Sequence, residues 1–168
     1  MEDIEKMKII LLNSNFNQLK DAINLYNIQE QDKFGNNILH YYIKESKNLK
    51  LDCKAVIDLI LSKGLDINEK QSKGAFKRSP LHIAVFMKLK DIVDYLIELG
   101  ADVNSTDANG NSILMTAITW YRDANGYFIE KLISNEANIY QENNHGVSAY
   151  SLANNINSDV LKYLCNNG

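Results

Sequence analysis

One stretch of this chain returns several times along its length, and that recurrence limits the possible fold more than any other feature. Ser79-Pro80-Leu81-His82-Ile83-Ala84 is followed by IVDYLIELGADVN at 92–104. Asn37-Ile38-Leu39-His40 is followed by VIDLILSKGLDIN at 56–68. A weaker copy runs Ser112-Ile113-Leu114-Met115-Thr116-Ala117, then FIEKLISNEANIY at 128–140. A degenerate one runs Ser148-Ala149-Tyr150-Ser151-Leu152-Ala153, then VLKYLCNNG at 160–168. The positions equivalent to Pro80 are Ile38, Ile113 and Ala149, so the intervals are 42, 33 and 36 residues. A chain with a period of about 33 builds a stack of similar units rather than one central core. The surplus residues collect in KESKNLKLDC and NEKQSKGAFKRS in the first interval and around WYRDANGYF in the third. Insertions confined to connections are what a structural repeat tolerates.

Local signals agree with the register. Asn37, Ser79, Ser112 and Ser148 each precede a helical run and are good N-cap types. Pro80 falls at the first helical position, where its missing N–H costs nothing. Val56-Ile57 with Leu59-Ile60-Leu61, and Ile92-Val93 with Leu96-Ile97, space apolar residues by three and four, as an amphipathic helix does. Gly64 and Gly100 sit where those helices must end in a left-handed residue. Before the repeats, Ile4, Met7, Ile10 and Leu11 predict one helix, and Phe16, Leu19, Ile23 and Tyr26 another.

The segment SPLHIAV followed by IVDYLIELGADVN resembles the ankyrin repeat, and the resemblance extends over about residues 31–168. It implies an all-α ankyrin-repeat solenoid of helix–turn–helix units joined by β-hairpin loops. The expected layout is residues 1–30 as an N-terminal helical cap or degenerate fifth repeat, then repeats at 31–70, 71–105 and 106–141. A degenerate C-terminal repeat or cap follows at 142–168, all within one domain. The chain departs from the family pattern at Ile38, Ile113 and Ala149 (usually proline), at Met115 and Ser151 (usually histidine) and at Glu136 (usually the turn glycine). The resemblance implies that His40 and His82 hydrogen-bond hairpin backbone.

Composition and motifs then exclude most chemistry. Hydrophobic residues are 45% and charged residues 23% of the chain, as in ordinary globular proteins. With 18 basic and 21 acidic residues the net charge is -3, which offers no field for nucleic-acid phosphates. No apolar run approaches the roughly 18 residues that span a bilayer, and MEDIEKMK is too acidic for a secretory signal. Cys53 and Cys165 make no disulfide framework and read as reduced thiols. There is no P-loop, dinucleotide fingerprint, zinc-binding spacing or nucleophile elbow. The expectations are therefore a monomeric cytoplasmic protein, not an enzyme, with no cofactor, no metal, no nucleic acid and no membrane partner. The chain holds 22 asparagines and one proline. Many of the asparagines fall on caps and hairpins, which suit Asn; a low-GC genome would account for the rest.

What remains is a surface for another protein, which family members present on the concave side formed by hairpin tips and first helices. Register places Phe34 and Asn36, then Phe76, Lys77 and Arg78, then Asn109 and Asn111, and His145 on the tips. It places Phe86, Met87, Trp120 and Tyr121, with Arg122 next along, at the ends of first helices. That set holds the only tryptophan, three of the five phenylalanines and both arginines. Trp, Tyr and Arg are enriched at binding hot spots. The alternative for Phe76, Phe86, Trp120 and Tyr121 is packing against neighbouring repeats. Lys73, Lys77 and Arg78 form a basic edge, which suits a partner with an acidic patch. The expected function is a non-enzymatic protein-binding module that occupies a partner's surface through its concave face, inhibition of the partner being one form of that. A toxin-neutralising immunity protein of a low-GC bacterium is the favoured form. A bacterial or viral ankyrin protein acting on host factors is the alternative, and a small enzyme or ligand-binding protein on a repeat scaffold is a remote one.

Overall fold

A computed structural model describes residues 3–121, 126–156 and 158–165, with the side chains of Ser158 and Cys165 outside that description. Five helix pairs follow one another among the described residues. They are α1 (Asp3–Asn13) with α2 (Phe16–Ile23), α3 (Ile38–Glu45) with α4 (Cys53–Leu61), and α5 (Pro80–Phe86) with α6 (Lys90–Glu98). The last two are α7 (Ile113–Thr119) with α8 (Tyr127–Ile133), and α9 (Ala149–Ile156) with α10 (Ser158–Cys165). First helices pack on first helices in one row, α1 on α3, α3 on α5, α5 on α7 and α7 on α9. Second helices α2, α4 and α6 line up behind them, and α10 joins α8. This is the helical solenoid that the repeat predicts. The expected hairpins are turns: among the described residues the only β-pairing is a single bridge between Thr106 and Ser112.

The helices start where the sequence places caps. Asn37, Ser79 and Ser112 each accept a hydrogen bond from the backbone N–H three residues on. In the first repeat the cap is reciprocal, because His40 Nδ1 accepts the Asn37 N–H at 3.2 Å. In the degenerate last repeat Ser151 replaces the histidine and does the same work, its Oγ accepting the Ser148 N–H at 2.9 Å. Met115 has no such atom, so that cap keeps one bond. α5 is buried on nearly every side because α3, α6 and α7 surround it. α6 is amphipathic, with Ile92, Val93, Tyr95 and Leu96 buried. Each such Leu or Ile contributes about 2 kcal/mol by leaving water.

The two insertions of the first interval sit in connections, and the middle of the third, residues 122–125, lies outside the described residues. The first forms a 3-10 turn at Ser46–Asn48 before Asp52 caps α4. Two elements of the stack have no counterpart in local sequence pattern. Asn68 Oδ1 accepts the Asp102 N–H at 2.8 Å, and Asn104 Oδ1 accepts the Asn138 N–H at 2.7 Å, which ties each repeat to the next. On the helical back, Tyr95 donates to Asp58 and Tyr127 to Asp94. At the N-terminus Lys8, 8% exposed, donates to Asp32 at 2.8 Å and to Glu5 at 2.9 Å. This joins α1 to the first hairpin.

Candidate functional site: a concave aromatic groove

The hairpins are built alike, and this sets the floor of the concave face. Asp32 Oδ1 accepts the N–H groups of Phe34 and Asn36, Asp107 Oδ1 those of Asn109 and Asn111, and Asn143 Oδ1 those of His145 and Val147. In the second repeat Gln71 stands in that place; its Oε1 accepts the Arg78 N–H at 3.2 Å across a longer loop. Neighbouring hairpins are stitched by backbone bonds from Ser72 to Gly35, Ala108 to Phe76 and Asn144 to Asn109. Gly35 explains how closely they approach: at φ +78 its added Cβ would lie 2.3 Å from the Lys73 backbone nitrogen.

Two adjoining depressions make one groove along this face. One, of about 450 Å³, lies between the first and second repeats and includes Phe34, Lys44, Phe76, Arg78, Phe86 and Met87. The other, of about 340 Å³, runs from the second repeat across the third to the last and includes Met115, Thr116, Trp120 and His145. Phe76 and Arg78 border both. The Arg78 guanidinium lies over two rings, 4.5 Å from the centre of Phe76 and 4.2 Å from that of Phe86. Phe86 meets Trp120 edge-to-face at 5.4 Å. Such stacking holds each flat group without hiding it. Phe34 is 62% exposed, Phe76 47%, Trp120 42% and Phe86 37%.

The residues expected at this surface divide into three sets. Phe34, Phe76, Arg78, Phe86, Met87, Trp120 and His145 line the groove together. Asn36 and Asn111 also border it, but as framework. Asn36 is 5% exposed, donates to Asp32 and accepts from Lys44 and Gln71; Asn111 donates to Asp107 and accepts from Asn143. Lys77, Asn109 and Tyr121 stand outside the lining. Lys77 is exposed on a left-handed backbone, φ 47. Tyr121 turns instead toward Tyr163 of the last helix pair, 6.0 Å away. Arg122 lies outside the described residues. Phe86 and Trp120 pack on each other across a repeat boundary while keeping more than a third of their surface open. Gln71 and its hold on Arg78 went unread in sequence. The signal was a Gln in the register position that Asp32, Asp107 and Asn143 fill elsewhere.

The electrostatics follow from burial. Burial pushes Lys44 below the ordinary lysine value, and the charges of Arg78 and Lys8 push the same way against Asp32. Burial also lowers Arg78, with Asp107 opposing. His40 and His82 lie behind the groove, 0% exposed, and burial pushes both imidazoles down to about 4. They are therefore neutral at pH 7. His82 Nε2 lies 3.3 Å from the Asn111 carbonyl, the hairpin contact implied for it, whereas His40 Nε2 has no hydrogen-bond partner among the described residues. Cys53 is a free thiol, raised by burial. Among the described residues no three of His, Cys, Asp and Glu gather as a metal site. No helix there is long and apolar enough to cross a membrane.

Comparison with known proteins agrees with the repeat fold. The family model described as "Ankyrin repeats (3 copies)" matches residues 7–107. An ankyrin repeat protein of Acanthamoeba polyphaga mimivirus is 29% identical over 66% of this chain and 16% of its own length. The nuclear factor NF-kappa-B p105 subunit of Rattus norvegicus is 33% identical over 52% of this chain and 9% of its own. An ankyrin repeat protein of Fowlpox virus is 35% identical over 32% of this chain and 10% of its own. The chain thus spans a sixth or less of the length of these curated relatives.

Proposed function

We propose, from the premise that the chain belongs to the ankyrin repeat family, that it is a non-enzymatic protein-binding module that works by occupying a partner's surface with its concave groove. The observation that carries this reading is the run of open aromatic rings and Arg78 along one face, Phe34–Phe76–Arg78–Phe86–Trp120. Exposed rings taken singly are ordinary, whereas hot spots gather aromatic and Arg side chains together on a rigid support. The stitched hairpins supply that rigidity, so little order is lost on binding.

Similarity to two viral ankyrin repeat proteins favours a host-directed role over the immunity-protein form. The family match beginning at residue 7, inside α1, favours reading residues 1–30 as a degenerate repeat rather than a separate cap. Binding partners captured by crosslinking to the full chain test the reading. Phe76→Ala, Arg78→Ala and Trp120→Ala should each weaken the captured complex about tenfold or more while the chain stays folded by circular dichroism. Tyr140→Ala, exposed outside the groove, should leave it intact. Affinity that survives all three groove variants defeats the proposal.

A further inference from the structure

The groove half between the first and second repeats is lined by positive charge with no carboxylate on its own surface, Asp32 and Asp107 acting on Lys44 and Arg78 only from outside it. Lys44, Lys73 and Arg78 border it, and no carboxylate does. None of the three takes part in an ion pair among the described residues. Arg78 is held between two rings, and its Nε is buried without a hydrogen-bond partner. Lys44 Nζ donates to the amide oxygen of Asn36 at 2.7 Å, which solvates the charge without cancelling it. Asp107 bears on Arg78 from the next hairpin, but its Oδ1 is already held by two backbone donors. The chain treats its other buried cation differently, giving Lys8 both Asp32 and Glu5. Cations kept half-dry without a counter-ion are stabilised when an anion arrives.

Resting on the reading of this face as a protein-binding surface, we propose that its occupant is an extended acidic segment of the partner. One Glu or Asp carboxylate sits against Arg78 and Lys44 in the space between Phe34 and Phe86. An apolar side chain further along the segment covers the step from Phe86 to Trp120. A carboxylate suits the Arg fork, which donates two parallel hydrogen bonds to planar anions. A nucleic-acid strand suits the groove less. Beyond Arg78 the lining turns to Asp107, Asn111, Asn143 and His145, and the chain as a whole is at -3. A phosphate backbone needs a continuous cationic track.

The test is selection of random, tryptophan-free 12-residue peptides on the full chain, followed by titration of Trp120 fluorescence. Trp120 is the only tryptophan and lies at the step the peptide would cover. Selected peptides should be enriched in Glu and Asp beside apolar residues. Replacing their acids with Gln should weaken binding about tenfold or more. Arg78→Gln and Lys44→Gln, checked for an unchanged thermal midpoint, should each do the same, and added salt should weaken wild type more than either variant. Two variants at different elements guard against one misfolding. Peptides that lose binding with Phe76→Ala or Phe86→Ala but show no acid preference overturn the acidic occupant and leave the binding surface standing. Peptides indifferent to every groove variant, or no enrichment at all, overturn both. A 12-nucleotide single strand that binds more tightly than the selected peptides overturns the choice of partner.

Discussion

At the scale of single residues, two backbone and side-chain facts lead to measurable outcomes. Glu136 occupies the turn position that Gly64 and Gly100 fill in earlier repeats, and it takes the same left-handed backbone, φ 66. A side chain there strains the backbone by about 1 kcal/mol. Glu136→Gly should therefore raise the urea midpoint, a gain of about 1 kcal/mol. His40 and His82 supply a pH dependence. Their folded values, about 4, lie below the unfolded value near 6.5. The unfolded chain binds more protons between those values, so their stabilisation is complete above pH 6.5 and is lost as pH falls toward 4. The loss is about 3 kcal/mol per histidine at most. Urea midpoints from pH 7.5 to 4.5 should fall in that window, and His82→Gln should flatten the fall. Asp32 acts lower down: burial alone would raise it, but Lys8 and Asn36 hold it below the usual carboxylate value. Its stabilisation is present above that value and is lost only under stronger acid.

At the scale of elements, the helices were legible because each carries its own signals. The cap residues Asn37, Ser79, Ser112 and Ser148, the three-and-four spacing and the closing glycines are all local. What was not legible is how one element grips the next. Lys8 falls by spacing on the apolar face of its helix, four residues after Ile4, and nothing local names the partner it is buried against, Asp32, 24 positions away. Removing one member of a buried ion pair commonly costs about 3–5 kcal/mol. Lys8→Met should cost less, about 2 kcal/mol, because Asp32 keeps the donors of Phe34 and Asn36. In an Asp32→Asn background the same change should cost still less, and a double-mutant cycle in urea measures the difference. The asparagines have a similar lesson. Asn68 and Asn104 belong to turns by sequence, but their side chains reach the next repeat. Asn104→Ala should lower stability by about 1 kcal/mol in the same assay.

At the scale of the molecule, stability is shared between neighbours along a line rather than drawn from one centre. α3 packs on both α1 and α5, so removing residues 1–30 uncovers one face of the first repeat. The truncated chain should aggregate on warming while the full chain melts in a single transition; light scattering during a thermal scan checks this. The concave groove also exists only at this scale. Phe34, Phe76, Phe86 and Trp120 come from three repeats, and only stacking brings their rings into one surface.

The amino-acid sequence alone therefore determined the repeat, its register and the caps at which the first helices begin. Those properties depend on spacing and on short-range caps, which a linear text records in full. Only the tertiary structure decided that Asn36 and Asn111 are framework, that Tyr121 turns away, and that Arg78 is clasped by two phenylalanines without a counter-ion. Those outcomes depend on distances between residues remote in the chain, and packing sets them after the register is already fixed.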